Sequence, residues 1–403
     1  MKTLLKQYLD VILVFLLMFC AFFIIVFFAV SDMWDHAYYA RRMLAERNLF
    51  SNNFLMYLLI NIFSGFSGTI HSTKAALVLL LSASNTAKYV IVKKAFESWC
   101  HRRQAMVASL ALLVVFVVPI LFLLDLFGSN FGERFMYIGY FVPNVWHNST
   151  ILCMMPFAIL TYLLSVKQLD DYDKTRNGLI TLFVILGTFV KPSFFFVYAV
   201  AYPILMFAKY GVRREFFFSL VPIICGCVCV LYEYLSIYVP SSTTDAVTDS
   251  NSGVEIEIMP LFTVEFWKPR WLKLMISMIL PVTFVIAYWK KIIKNREFWF
   301  VFIMLLMALG ISWCCHETGP RADHGNFGWQ VIVAMWFVYY YMLKVILQKS
   351  VKEEGAVKSE KATDLKESLV LSSKTIVFLM LYSVHVVTGA WYLVRYLITG
   401  FYY

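Results

Sequence analysis

Long apolar runs, each about as long as a bilayer is thick, constrain this chain more than any other feature. Residues 9–30 are almost unbroken apolar sequence, and a helix of about 20 such residues crosses the hydrocarbon core. Hydrocarbon offers the backbone no hydrogen-bond partners, so these runs should be helices. We therefore predict an all-α, polytopic transmembrane bundle of about eleven spans. The predicted spans are 9–30, 74–92, 106–127, 150–166, 178–190, 193–208, 216–239, 272–289, 298–314, 329–346 and 375–397.

The composition supports a membrane protein and argues against a nucleic-acid-binding one. The chain is 61% hydrophobic and 15% charged, whereas a soluble domain is about half apolar and a quarter charged. Its net charge of +10 comes from lysines and arginines in short clusters between apolar runs. This is the pattern of membrane topology.

The basic clusters also predict an orientation, because cytosolic loops are rich in lysine and arginine. Four connections between predicted spans are strongly basic, and they alternate so that all lie on the side of the N-terminus. We therefore expect a multi-pass protein of the cell membrane with a cytosolic N-terminus. The four connections hold Lys93, Lys94, Arg102 and Arg103; Lys167, Lys174 and Arg176; Lys209, Arg213 and Arg214; and Lys290, Lys291, Lys294 and Arg296.

Loop lengths divide the chain into two membrane modules. The first is 1–240 and includes a long external loop, 31–73, whose apolar spacing predicts helices lying in the membrane interface. A second external loop covers 241–270. The module 271–403 contains a charged cytosolic linker, 349–367, which we predict to be flexible.

Polar residues that could carry chemistry fall on the predicted outer side. Asp32, Asp35 and His36 directly follow the first span. In a helix, Asp32 and His36 share one face while Asp35 points elsewhere. Either carboxylate is a candidate general base for an attacking hydroxyl, although Asp is also common as a helix cap.

Two further groups flank later spans. Asn144, His147 and Asn148 lie where the chain enters the fourth span, and we expect them to face a wet cavity or one another. Lys191 separates the short fifth and sixth spans, which form either a tight hairpin or one bent helix. A lysine there can bind phosphate or snorkel to the interface.

A dense polar loop, 316–330, joins the ninth and tenth spans. Arg321 suits bidentate binding of phosphate, and Glu317 and His324 suit sugar recognition or acid–base assistance. The spacing of histidines and acids matches no standard zinc motif, so no metal or cofactor is assigned, although the carboxylates leave a divalent cation open. We expect all these groups to converge on one cavity.

The segment 32–43 resembles the first external loop of GT-C fold glycosyltransferases, which use polyprenyl-phosphate-linked sugars. In the aminoarabinose and mannosyl transferases of this class, an acidic pair in that loop typically precedes Tyr-Ala. Here Asp35-His36-Ala37-Tyr38-Tyr39-Ala40 is similar, but histidine replaces the second acid, so Asp32 is an alternative equivalent. Lys191-Pro192 and Glu317-x-x-x-Arg321 loosely match the family's phosphate-binding positions.

The resemblance implies an inverting membrane glycosyltransferase that moves a sugar from a polyprenyl-linked donor to a glycan, lipid or protein acceptor on the non-cytosolic face. Asp32 or Asp35 would be the base, and Lys191 and Arg321 would steady the departing phosphate. Two alternatives remain: an O-antigen-polymerase-like enzyme that joins lipid-linked oligosaccharides, and a polysaccharide or lipid transporter. Transporters commonly show repeated halves and charges near the bilayer midplane, and we see neither in this sequence.

Overall fold

The computed structural model describes residues 2–46, 53–117, 140–238, 253–257, 270–319, 325–360 and 373–402. These residues form an all-α bundle with one two-stranded antiparallel sheet, which confirms the predicted fold class. The helices are α1 (Lys2–Phe28), α2 (Met33–Ala45), α3 (Phe54–Phe63), α4 (Ile70–Glu97), α5 (Arg102–Val114), α6 (Ser149–Asp170), α7 (Lys174–Val190), α8 (Ser193–Tyr210), α9 (Arg214–Ser219), α10 (Val221–Tyr238), α11 (Arg270–Ile292), α12 (Arg296–Cys314), α13 (Trp329–Glu360) and α14 (Ser373–Thr399); the strands are β1 (Gly253–Ile256) and β2 (Cys315–Thr318).

Within these ranges, nine helical segments are long and apolar enough to cross a membrane. They are α1, α4, α6, α8, α11, α12, α13, α14 and the joined pair α9–α10, and each coincides with a predicted run. Two predicted runs correspond to shorter helices, α5 with 13 residues and α7 with 17. The predicted first external loop contains helices α2 and α3, as its apolar spacing indicated.

The two ends of the bundle differ in chemistry. At one end, Lys93 of α4 lies 2.5 Å from the carboxylate of Asp10 on α1. At the other, Lys74 of α4 lies 3.5 Å from the ring centroid of Trp34 on α2. Helices α1 and α4 are therefore antiparallel, and we name these the Asp10 end and the Asp32 end. The basic connections after α4 and between α6 and α7 belong to the Asp10 end.

Helices α7 and α8 form a tight hairpin, which resolves the alternatives left by the sequence. The Tyr210 hydroxyl at the end of α8 donates a hydrogen bond to the carbonyl of Gln168, 3.1 Å away. Arg176 in the first turn of α7 contacts the same glutamine at 3.3 Å. Proline disfavours helical geometry in the residue before it, so Lys191-Pro192 ends α7 and turns the chain. Lys191 is thereby held at the Asp32 end.

Helix α13 forms the centre of the bundle. Its residues 331–346 are all buried, and they are apolar or aromatic except for Lys344. A helix that is apolar on every side belongs inside a protein or a membrane. Helices α10, α11 and α14 instead expose many leucine, isoleucine and valine side chains. We assign these outward faces to lipid.

Two predicted elements differ in length from the helices observed at those positions. In the run predicted as 106–127, helix α5 ends at Val114 and residues 115–117 leave helical geometry; residues 118–139 lie outside the described chain. The predicted flexible linker 349–367 begins as helix, because α13 continues to Glu360. Lysine, glutamate and alanine are good helix formers, and they favour this continuation beyond the apolar core.

Glycine at position 389 lets α14 pack closely against the backbone at the end of α5. A Cβ atom built at Gly389 would lie 1.7 Å from the carbonyl oxygen of Val114 and 3.1 Å from the backbone nitrogen of Phe116. We therefore expect Gly389→Ala to lower the free energy of unfolding by about 1–3 kcal/mol, because backbone atoms cannot move aside cheaply. Thermal unfolding in detergent measures the change.

Gly310→Ala in α12 is the matched control, because a Cβ atom there meets no heavy atom within 4 Å. Alanine is the better helix former by about 1 kcal/mol, so this variant should be neutral or slightly stabilised. Equal melting temperatures for the two variants would contradict the close packing of α14 on the end of α5.

Candidate functional site

Asp32 lies at the N-cap position of α2, yet its side chain caps no backbone N–H group. Its Oδ2 atom is 3.8 Å from Nε2 of His36, one helical turn later. The Oδ1 atom is buried and has no hydrogen-bond partner among the described residues. Since the side chain is 33% exposed, part of the carboxylate remains accessible. The carboxylate is therefore available for a role other than capping.

His36 is held in place by a tyrosine from the neighbouring helix. The Tyr57 hydroxyl on α3 shares a 3.0 Å hydrogen bond with Nδ1 of His36. Burial, followed by the influence of Tyr39, holds the pKa of Tyr57 far above its usual value, so its hydroxyl stays protonated. When Tyr57 donates to Nδ1, the other ring nitrogen carries the proton and faces Asp32. This arrangement places a ring N–H group 3.8 Å from the Asp32 carboxylate, which is too far for a direct hydrogen bond.

Asp35 occupies a different face of α2. Its side chain is exposed in the first turn of the helix, whereas Asp32 and His36 face α3. The helical spacing predicted this separation. The structure therefore distinguishes two acids that the sequence left equivalent, and Asp32 is the one among other polar groups.

His147, which lies near Asp32, and Lys191 come from two other parts of the chain and meet at Trp329. The Lys191 ammonium lies 5.5 Å from the ring centroid of Trp329, and His147 packs against the same tryptophan with ring centroids 5.8 Å apart. Burial is the main cause that lowers the pKa of His147 to about 4; the charge of Asp32 acts to raise it and that of Lys191 to lower it. His147 is therefore a neutral imidazole near pH 7.

Glu233 on α10 is a further member of this group that our sequence analysis missed. Its side chain is only 4% exposed. Both carboxylate oxygens accept the backbone N–H of Asn53, at 3.1 Å each, and Lys191 is near enough to interact with the same carboxylate. Asn53 has a positive φ of 53° at the start of α3. Glu233 thus ties α3, which carries Tyr57, to the bundle.

Asn144 and Asn148 have structural partners. The side-chain carbonyl of Asn144 accepts a 2.7 Å hydrogen bond from Lys88, and its amide donates to the carbonyls of Leu112 and Val115. Asn148 caps α6 by accepting from the Ile151 backbone N–H at 3.0 Å. Both asparagines fix the irregular segment that brings His147 to its position.

The predicted loop after α12 is described only in part. Glu317 lies on β2, is buried, and accepts a 2.5 Å hydrogen bond from Asn326. Asn326 begins a short 3-10 turn that leads directly to Trp329. Glu317 is thereby linked to the turn that precedes Trp329. Arg321 and His324 lie outside the described residues.

We call Asp32, His36, His147, Lys191 and Glu233 the polar cluster. It combines two carboxyl groups, one ammonium group and two imidazoles, of which that of His147 is neutral, with Trp329 between two of its members. Such a set can accept a proton from a hydroxyl group and bind an anion. In the described parts of the chain, no three His, Cys, Asp or Glu residues are grouped in a way that would hold a metal ion.

The sequence was also compared with known proteins. A scan against models of protein families gives no match, and a search of curated proteins gives no significant similarity. The geometry of the polar cluster is therefore the basis on which a function can be assigned.

Proposed function

We propose that this protein is an integral-membrane glycosyltransferase of the GT-C type. It transfers a sugar from a polyprenyl-phosphate-linked donor to a hydroxyl group of a glycan, lipid or protein acceptor. The observation that carries the proposal is the Asp32 carboxylate: it makes no helix-cap bond, faces His36, and lies close enough to His147 to influence its charge.

The proposed reaction is a single displacement with inversion. Asp32 removes the proton of the acceptor hydroxyl as that oxygen attacks the anomeric carbon. The bond from that carbon to the phosphate oxygen breaks, and the electron pair leaves with the lipid phosphate. Lys191 balances the developing negative charge, and this stabilisation is greatest in a site with little water. His147 supplies a neutral hydrogen-bonding group.

The test is transfer by the purified protein in lipid nanodiscs. A panel of radiolabelled polyprenyl-phosphate sugars is incubated with candidate acceptors, and products are analysed for a new glycosidic bond. Formation of that bond from a single-sugar donor supports the proposal. Joining of two lipid-linked oligosaccharides instead supports a polymerase. Movement of an intact lipid-linked glycan across vesicles, with no new bond, supports a transporter.

The proposal includes an orientation in which the Asp32 end faces away from the cytosol. Ser67 and Ser98 are exposed residues at the Asp32 and Asp10 ends, respectively. In a background without the eight native cysteines, a membrane-impermeant maleimide should label Ser67→Cys in intact cells. Ser98→Cys should react only after permeabilisation, because basic connections stay in the cytosol. The reverse labelling pattern would overturn the orientation.

A further inference from the structure

The segment that follows α14 folds back over the polar cluster. Gly400 turns the chain with a φ of 73°, a conformation that favours glycine. Its backbone N–H donates to the carbonyl of Tyr396 at 2.9 Å, and its own carbonyl accepts from the N–H of Val30 at 2.8 Å. The Tyr396 hydroxyl donates to the Val30 carbonyl at 2.7 Å. These bonds fasten the segment to the end of α1, two residues before Asp32.

This turn brings Tyr402 onto the face of His147. The two rings are 4.2 Å apart between centroids, and their planes differ by 11°. The Tyr392 hydroxyl donates a 2.9 Å hydrogen bond to the backbone carbonyl of Tyr402, which fixes the position of the residue. Trp329 packs against His147 with an interplanar angle of 49°. As a result, only 5% of His147 is exposed.

We infer that Tyr402 is a positioning residue of the polar cluster: its ring covers the His147 imidazole, fixes the plane of that ring and keeps water from it. The assignment of a role in sugar transfer rests on the proposed function. A neutral imidazole offers one donor and one acceptor nitrogen. That pairing matches the hydroxyl groups of a sugar or of its acceptor. A protonated imidazole would offer donors only.

The charges around His147 come from separate elements. The Asp32 carboxylate lies at the start of α2, and the Lys191 ammonium at the turn between α7 and α8; their effects on the imidazole oppose each other. Trp329 and Tyr402 contribute aromatic rings. Burial is therefore the main influence that keeps the imidazole neutral, and the stacked ring of Tyr402 contributes to that burial.

The experiment compares three variants by NMR of protein carrying ¹⁵N-labelled histidine, with His147→Gln to assign the signal. In wild type, the His147 imidazole should stay neutral throughout a titration from about pH 8 to about pH 5. In Tyr402→Ala, water reaches the ring, and the pKa of His147 should rise towards its ordinary value of 6.5. Tyr402→Phe keeps the stacked ring, so its titration should match wild type.

Phe401→Ala is the matched control, because it removes the adjacent aromatic side chain, which is 46% exposed. It should leave the titration of His147 unchanged. If His147 titrates in Tyr402→Ala as it does in wild type, the inference is wrong. It is also wrong if the pKa of His147 shifts equally in Tyr402→Ala and Phe401→Ala. Thermal unfolding of each variant identifies misfolded protein.

The NMR result does not depend on any assay of activity, so the inference and the proposed function can fail separately. If sugar transfer is observed, Tyr402→Ala should lose about tenfold more activity than Tyr402→Phe at one pH unit below the new midpoint, since about nine in ten imidazoles are then protonated. If the pKa of His147 shifts as expected and the protein uses no sugar donor, the inference about Tyr402 is supported and the glycosyltransferase proposal is refuted.

Discussion

Asp32→Asn should reduce sugar transfer by about 100-fold or more, because an amide keeps the shape of the carboxylate but cannot accept the acceptor proton. The loss should appear in kcat with little change in KM for the lipid-linked donor, since the donor phosphate is proposed to contact Lys191. Steady-state kinetics of the purified variant in nanodiscs measure both constants. A partly exposed side chain that makes no cap bond contributes little to stability, so the melting temperature should stay near that of wild type.

Asp35→Asn is the control for this result. It makes the same change of charge three residues later, on an exposed face of α2 away from His36. Near-wild-type transfer by Asp35→Asn and loss of transfer by Asp32→Asn would assign the base. Full activity in the Asp32 variant would refute the proposed mechanism, whatever the behaviour of Asp35→Asn.

Glu297→Gln should lower the free energy of unfolding by about 3–5 kcal/mol, the usual cost of leaving a buried charge without its partner. Glu297 in the first turn of α12 forms a salt bridge with Lys344 of α13, and both residues are buried. The Tyr162 hydroxyl donates a 3.0 Å hydrogen bond to Glu297, and Lys344 lies 4.1 Å from the ring centroid of Trp99. Thermal or chemical unfolding in detergent measures the change.

Removing both charges tests whether the cost comes from the unpaired lysine. Glu297→Gln combined with Lys344→Met should recover most of the lost stability, because no uncompensated charge remains. The exposed pair of Arg42 and Glu46 on α2 is the control: Arg42→Gln should cost less than about 1 kcal/mol. If Glu297→Gln unfolds like wild type, the pair is hydrated in solution and does not stabilise the bundle.

Apolar run length was enough to predict the helices, because the bilayer imposes a length that few other structures share. The hairpin at Lys191 was harder to predict, since proline accounts for a break but not for the direction of the chain after it. The early end of α5 carried a sequence signal that we did not use, the β-branched run before Pro119. The packing at this end could not be predicted, because Gly389, far away in the sequence, lets α14 approach the carbonyl of Val114.

The polar cluster was predicted in part. Asp32, His36, His147 and Lys191 were identified because polar residues at the ends of apolar runs are unusual, and the structure brings them together. Glu233 could also have been identified from the sequence, because it is a lone acid inside an apolar run. An acid in that position is a functional candidate by default.

The aromatic residues around the polar cluster gave no such signal. Tyr57, Trp329 and Tyr402 have the residue types of the ordinary aromatic belt found at membrane interfaces. Only their contacts with His36, Lys191 and His147 distinguish these three residues from ordinary belt residues. Asn144 and Asn148, which were chosen for their polarity, form hydrogen bonds with backbone groups, and their part in substrate binding stays a prediction.

The hydrogen bond between Tyr396 and Val30 joins residues 366 positions apart, and this separation sets an order of events during biosynthesis. At a synthesis rate of 5–20 residues per second, α14 emerges roughly 20–70 s after α1. Asp32 therefore enters the membrane long before Trp329 and Tyr402 exist. A nascent chain has the carboxylate but not the aromatic rings around it, so the polar cluster is complete only when the last described helix has been inserted.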